Sequence, residues 1–70
     1  MRYSAHAEER MSQYGITKTE VEAIVANPTR GRYAPAFKSS IEHFGYAADG
    51  RPFNAVTDRA ASFVITVVPE

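Results

Sequence analysis

The chain has 70 residues, no cysteine, and eight basic residues against eight acidic ones. This length favours one small domain, 1–70, and the lack of cysteine excludes a disulfide scaffold and thiolate metal sites. A net charge of zero excludes a general positive field, so contact with nucleic acid has to come from a local patch. No apolar run approaches the roughly 20 residues that span a bilayer, and no signal peptide begins the chain, so we expect a cytoplasmic protein without a membrane partner. A core this small leaves roughly 3–5 kcal/mol of stability, which makes a homodimer or another bound partner a reasonable expectation.

The first predicted element is a helix that begins after Ser4 and ends at Gly15. The Ser4 hydroxyl is a suitable N-cap acceptor for a free amide of the first turn. Ala7, Met11 and Tyr14 recur at the spacing of one buried helical stripe. Gly15 takes the left-handed C-terminal conformation most easily.

A second helix is predicted directly after the first. Thr17 and Glu20 form a capping box, and Ile16 and Val21 stand where a hydrophobic staple packs. Asn27–Pro28 ends this helix, because the residue before a proline is disfavoured in the helical region.

The segment "RGRYAPAFK", 30–38, follows as a basic loop without any acidic residue. Its cations are Arg30, Arg32 and Lys38, interleaved with the aromatic residues Tyr33 and Phe37. Such a loop can stack bases beside phosphate-binding arginines. It can equally be a crossing loop whose aromatic rings cover the sheet, and the sequence leaves both interpretations open.

The period of the pattern then changes to that of strands. The strings "SSIEHFGYA" and "PFNAVT" flank Asp49–Gly50, a strong hairpin signal. A two-residue turn there predicts that Tyr46 lies opposite Phe53 and Phe44 opposite Ala55. The string "SFVITVV", Ser62–Val68, is rich in β-branched residues and predicts a third strand. The fold class predicted is therefore α+β, with two N-terminal helices packed on a three-stranded antiparallel β-meander.

His6 and Arg10 lie four residues apart on the first predicted helix, beside its apolar stripe. Cleavage of RNA by its own 2′-hydroxyl needs a base, an acid, and a cation near the phosphate. A histidine supplies the base or the acid, and an arginine holds the phosphate by bidentate hydrogen bonds. One helical turn separates the two side chains by about 6 Å, which suits two groups on one phosphodiester. The same spacing also arises on helices that have no such function.

His43 is the second histidine and lies in the first strand of the predicted hairpin. The predicted turn places it opposite Val56, and a slip of one residue would reverse its face. On one interpretation it converges with His6 in a two-imidazole site. On the other it is a partly buried strand residue bonded to a neighbour. Two histidines without clustered carboxylates give no metal-ligand spacing, and no Gly-rich phosphate loop is present. We therefore expect no metal and no cofactor.

Several strings together resemble the small bacterial family known as domain of unknown function 4258. They are "HAEERM", "YGIT" and "EVEAIVANP" in the helical half, and "DGRP" and "ITV" in the strands. The family is similar to toxins of the RelE and barnase–EndoU–colicin superfamily, which are metal-independent ribonucleases, and to BrnT-type toxins. The resemblance implies a RelE/BrnT-like two-layer domain of a toxin–antitoxin system, with RNA as substrate and an antitoxin protein as partner.

The resemblance also implies roles for individual residues. His6 and Arg10 match the helical positions of the family, Thr66 the hydroxyl of its last strand, and Arg51 its hairpin arginine. Thr66 also fits as an ordinary β-branched strand residue, and Arg51 as a solvated turn charge. Tyr14 stands where the family often has a basic residue, which removes one phosphate contact.

Two functions from different classes remain. The first is a ribonuclease in which His6, Arg10, Thr66 and His43 carry catalysis. In this ribonuclease RNA is bound by Arg51 together with the residues Arg30, Arg32, Tyr33 and Lys38. The second is a non-catalytic module of the same fold, which docks a partner protein or nucleic acid through the sheet and the 30–38 loop.

Overall fold

A computed structural model describes residues 1–70 and has two helices and five strands. In chain order these are β1 (Arg2–Tyr3), α1 (Ala5–Tyr14), α2 (Lys18–Ala26), β2 (Arg32–Tyr33), β3 (Ser40–Tyr46), β4 (Pro52–Asp58) and β5 (Phe63–Pro69). α1 packs on β5, and α2 packs on β3 and β4. The protein is thus α+β, with both helices on one face of a sheet.

The prediction of a three-stranded antiparallel meander is wrong. The strands form one five-stranded mixed sheet in the order β1-β5-β4-β3-β2, and β1 runs parallel to β5. The two additional strands are the edge strands, each of two residues. Two residues are too few to show an alternating pattern. β1 exists only because β5 offers it partners, as in the bond from the Ser4 amide to the Val64 carbonyl at 3.0 Å.

Both helices begin and end where the sequence predicts. The Ser4 hydroxyl accepts a hydrogen bond from the Ala7 amide at 2.9 Å, and Gly15 caps α1 with a φ of 66°. The capping box of α2 is complete, because Thr17 and Glu20 each accept a hydrogen bond from the other's amide. Neither helix is long and apolar enough to cross a membrane.

The predicted register of the β3–β4 hairpin is wrong by one residue. Tyr46 pairs with Pro52, Phe44 with Asn54, and Phe53 with Gly45. The connection has five residues, 47–51, and the bond from the Ala47 amide to the Arg51 carbonyl at 2.8 Å closes it. Phe53 consequently faces the helices, whereas the neighbouring aromatic rings of β3 face away from them.

The core lies between the helices and the sheet. It is formed by apolar side chains of both layers: Ala7, Met11, Ile16, Val21, Ile24, Val25, Ala47, Phe53, Ala55, Val64 and Val67. Gly45 is needed for this packing, because a Cβ atom at that position would lie 2.7 Å from the side chain of Ile24. A glycine in β3 therefore allows α2 to approach the sheet closely.

The opposite face of the sheet carries no helix, and we call it the open face. Side chains alternate along a strand, so the residues that pair across the strands share a face. One row crosses four strands and contains Tyr33, Glu42, Val56 and Thr66. A second row is formed by Phe44, Asn54 and Val68. Tyr46 lies in the next row and is 51% exposed.

Candidate nucleic-acid interface

The structure separates the predicted catalytic residues into three places. His6 and Arg10 lie on α1, on the helical side of the sheet. Thr66 pairs with Val56 on the open face. His43 pairs with the buried Ala55 and lies on the helix-covered face, only 1% exposed. These four side chains do not form one site, and the catalytic role of each stays a prediction.

His43 has the environment of a structural histidine. Its Nε2 atom lies 2.8 Å from the hydroxyl oxygen of Thr57, and this hydroxyl donates to the carbonyl of Asp58 at 2.9 Å. Since the Thr57 proton is already used, Nε2 of His43 must be the donor, and Nδ1 carries a lone pair. Nδ1 is buried without a partner. Burial, together with the nearby charge of Arg32, lowers the pKa of His43.

His6 and His43 are not brought together. His6 is exposed on α1, which packs on β5, whereas His43 is buried on β3, two strands away. Neither imidazole forms a hydrogen bond with the other. The two-imidazole arrangement considered from the sequence is therefore absent from this fold.

Arg10 and Arg51 both bond to Tyr14, but at opposite ends of that residue. Nη1 of Arg10 donates to the Tyr14 hydroxyl at 2.9 Å, and Nη1 of Arg51 donates to the Tyr14 carbonyl at 2.7 Å. The second bond satisfies a free carbonyl at the end of α1 and places a positive charge where the helix dipole favours one. Arg51 is also paired with Asp49 at 2.7 Å. The hairpin thus brings a third functional candidate to the helix of His6 and Arg10.

The predicted binding residues are found mainly on the open face. Nζ of Lys38 lies 5.5 Å from the ring centre of Tyr33, which pairs with Glu42 there. The guanidinium of Arg30 lies 5.0 Å from the ring of Tyr46 and 5.8 Å from that of Phe44. These are cation–π distances.

One further stack lies at the other edge of this face. Arg2 is 5.3 Å from the ring of Phe63, and the two residues pair across β1 and β5. The remaining stack in the protein, Lys18 on Tyr3 at 5.0 Å, lies on the helical side. Basic groups laid on aromatic rings are therefore concentrated on the open face.

Arg30 is held in place more firmly than the other cations of this face. Nη2 donates to the carbonyls of Gly45 at 3.1 Å and Phe53 at 3.4 Å, and it forms an ion pair with Glu70. Its hydrogen bond is the main cause that lowers the pKa of Glu70. Arg30 thus has a structural role at this face, and its charge is largely balanced by that of Glu70.

Arg32 is placed away from the open face. It pairs with His43, so its side chain belongs to the helix-covered face at the edge of the sheet. It is exposed and forms no hydrogen bond or ion pair. Of the four candidates in the 30–38 loop, three lie on the open face and Arg32 does not.

The sequence model of the family described as "Domain of unknown function (DUF4258)" matches residues 3–69. The chain belongs to this family. No curated protein and no solved structure matches it.

Three residues of the open face were not singled out as site residues in the sequence of this DUF4258 member. Glu42 is half-buried and has no ion-pair or hydrogen-bond partner. Tyr46 is half exposed, and Asn54 is 7% exposed with its Oδ1 atom buried and unpartnered. The alternation of Glu42, Phe44 and Tyr46 along β3 is visible in the sequence. The assumed two-residue turn, however, aligned these residues with the wrong positions of β4.

The DUF4258 chain offers a flat surface as its candidate site. No pocket is found on it, and no three His, Cys, Asp or Glu side chains are grouped closely enough to hold a metal ion. The open face combines exposed aromatic rings with cations stacked on them. Such a surface can bind an extended, flexible, partly aromatic anion, in the manner of single-stranded nucleic acid.

Proposed function

We propose that this protein binds single-stranded RNA across the open face of its sheet. The observation that carries the proposal is the stacking of Arg2, Arg30 and Lys38 on the aromatic rings of this one face. Exposed rings provide surfaces on which bases stack without regard to sequence, at about 1–3 kcal/mol per base. Arginine and lysine beside them attract the phosphates.

The charges of the open face predict moderate affinity. The ion pair of Arg30 with Glu70 reduces its availability for a phosphate. Asp58 adds negative charge, because hydrogen bonds from the amides of Ser62 and Phe63 lower its pKa and keep it ionised. Glu42 is a free carboxylate in the middle of the face and repels phosphate. We therefore expect binding at low salt that weakens steeply as salt is added.

The resemblance of the family to RelE and BrnT-type toxins supports RNA as the ligand. On this proposal the domain belongs to a toxin–antitoxin pair, and an antitoxin protein covers the RNA-binding face. Co-expression with the product of an adjacent gene tests this partnership. Growth arrest on expression of the domain alone, relieved by that product, is the expected result.

Binding is tested with a fluorescently labelled single-stranded RNA at low salt. Tyr46→Ala is expected to weaken binding at least fivefold, from the loss of about 1 kcal/mol or more of stacking. Lys38→Gln is expected to weaken binding and reduce the salt slope by about one. Lys18→Gln is the matched control, because Lys18 also stacks on a tyrosine but on the helical side. The proposal is wrong if no RNA binds at low salt, or if the Lys18 and Lys38 variants lose equal affinity.

A second candidate function is metal-independent RNA cleavage at α1. The contacts of Arg10 and Arg51 with Tyr14 favour it, because they bring a distant cation to the helix of His6. His6 would remove the proton from the ribose 2′-hydroxyl, whose oxygen attacks the phosphorus. Arg10 would stabilise the charge on the phosphate oxygens, and the departing 5′-oxygen would take a proton from water. Since eight residues of helix rise about 12 Å, Arg51 would contact a different phosphate from the one near His6.

Cleavage is tested by incubating RNA with the purified protein and a chelator, and by identifying 2′,3′-cyclic phosphate ends. His6→Ala is expected to abolish cleavage, whereas Gln13→Ala, an exposed neighbour on the same helix, should retain it. Loss of cleavage in Thr66→Val with full activity in His6→Ala would move the chemistry to the open face. Intact RNA with every variant, together with normal binding, would leave the protein as a binding module.

A further inference from the structure

The most exposed large apolar side chain of the protein is Phe37, with 82% of its surface accessible. It occupies a tight turn, Pro35–Lys38, closed by a hydrogen bond from the Lys38 amide to the Pro35 carbonyl at 3.1 Å. Arg59, the residue after β4, holds the same turn, since its Nη1 donates to the carbonyls of Pro35 at 3.1 Å and Lys38 at 3.4 Å. The ring is thus exposed to solvent on a turn whose first and last residues are both hydrogen-bonded to Arg59.

Folding provides no reason for a phenylalanine at this position. Phe37 lies outside the hydrophobic core and has almost its full surface in water. An exposed phenylalanine forgoes about 1.5–3 kcal/mol that its burial would contribute. Replacing it leaves no cavity and should leave stability unchanged within about 0.5 kcal/mol.

The turn lies at one end of the open face. Lys38, the residue after Phe37, stacks on Tyr33, which occupies the row of Glu42. Arg59 directly follows Asp58, the last residue of β4. The aromatic residues of the open face therefore continue from Tyr46, through Phe44 and Tyr33, toward Phe37.

We propose that Phe37 is a stacking site for an unpaired base of the same RNA strand, which extends the interface beyond the sheet. This inference rests on the proposed function. The surroundings of the ring favour a polyanion, because Lys38 is part of the turn, Arg59 contacts it, and 30–41 contains no acidic residue. Because the turn is already formed, a base can stack on Phe37 with little loss of conformational entropy.

A single tryptophan at this position gives a direct test, because the chain contains no tryptophan. In Phe37→Trp, titration with single-stranded RNA is expected to quench the tryptophan emission at the concentration where labelled RNA is bound. Ala23→Trp is the control, since Ala23 is exposed on α2 on the other side of the sheet. Its emission should stay constant while RNA binds equally well. Constant emission of Phe37→Trp during binding would overturn the inference.

A length series separates this inference from the proposed function. With RNAs lengthened one nucleotide at a time, Phe37→Ala should match the wild type for short RNAs and bind at least fivefold more weakly once the RNA reaches the turn. Phe37→Tyr should restore full binding, and Phe37→Leu should not, because stacking requires a ring. Equal affinity of Phe37→Ala and wild type at every length defeats the inference while the sheet interface stands. Failure of all RNAs to bind defeats the proposed function itself.

Discussion

The two faces of the sheet are formed by the same strands but differ in the burial and type of their side chains. On the helix-covered face, positions of β3 and β4 such as His43, Phe53, Ala55 and Thr57 are buried. On the open face, their immediate neighbours include Tyr46, half exposed, and the unpaired carboxylate of Glu42. The residues of the helix-covered face pack against the helices. Those of the open face include large rings and charges that do not contribute to this packing. Substitutions on the two faces should therefore change different properties.

The largest expected effect is that of Phe53→Ala on the helix-covered face. Phe53 is 1% exposed, and its truncation should lower the free energy of unfolding by about 3–5 kcal/mol. This is a large share of the stability of so small a domain, so most molecules should be unfolded at room temperature. Circular dichroism with urea titration measures the change.

Phe44→Ala is the matched variant on the open face. Phe44 is half-buried under Arg30, so the expected loss is about 1 kcal/mol, including the cation–π contact. RNA affinity should fall in a protein that remains folded. Equal destabilisation by the two phenylalanine variants would contradict the proposed division between the faces.

An intermediate effect is expected from the titration of His43. Its pKa is lowered in the folded protein, so the unfolded chain binds the proton more readily. The contribution of His43 to the free energy of unfolding should be fully present above pH 7. It should decrease as the pH falls from about 6.5 toward the folded-state pKa, by at most roughly 1.4 kcal/mol per pH unit. Urea titrations between pH 7 and pH 5 measure this slope.

His43→Gln is the informative control for this pH dependence. Glutamine keeps an N–H for the Thr57 hydroxyl but does not titrate, so the slope between pH 7 and pH 5 should disappear. His6→Gln removes the exposed histidine instead and should retain the slope. A steep slope that survives in His43→Gln would assign the titration to another group.

A small effect, and the only expected gain in stability, is that of Asn54→Val. The Oδ1 atom of Asn54 is buried without a partner, and an unsatisfied acceptor costs about 1–3 kcal/mol. Valine removes it and suits a strand, so stability should rise by about 1 kcal/mol. If the amide serves the RNA interface, affinity should fall in the more stable variant. A loss of stability would mean that Asn54 contributes to the fold.

The comparison of the faces also explains which sequence predictions succeeded. Helix ends depend on residues within four positions of each other, such as Ser4 with Ala7 and Thr17 with Glu20, and these were predicted correctly. The face of a strand residue depends on the hairpin register. The five-residue loop 47–51 is held by contacts from both helices, including the bond from the Ala48 amide to Glu20 at 2.6 Å, and no local pattern encodes them.

The sequence by itself thus determined two capped helices, three long strands and their α+β arrangement, because caps, apolar periodicity and β-branched runs act over short distances. The tertiary structure alone decided the two edge strands, since a two-residue strand exists only through the partner that bonds it. It also decided that His43 is buried, that Thr66 and His6 lie on opposite sides of the sheet, and that Arg10 and Arg51 bond to the two ends of Tyr14. These relations follow from one register and the close approach of α2 at Gly45, which only the packed chain establishes.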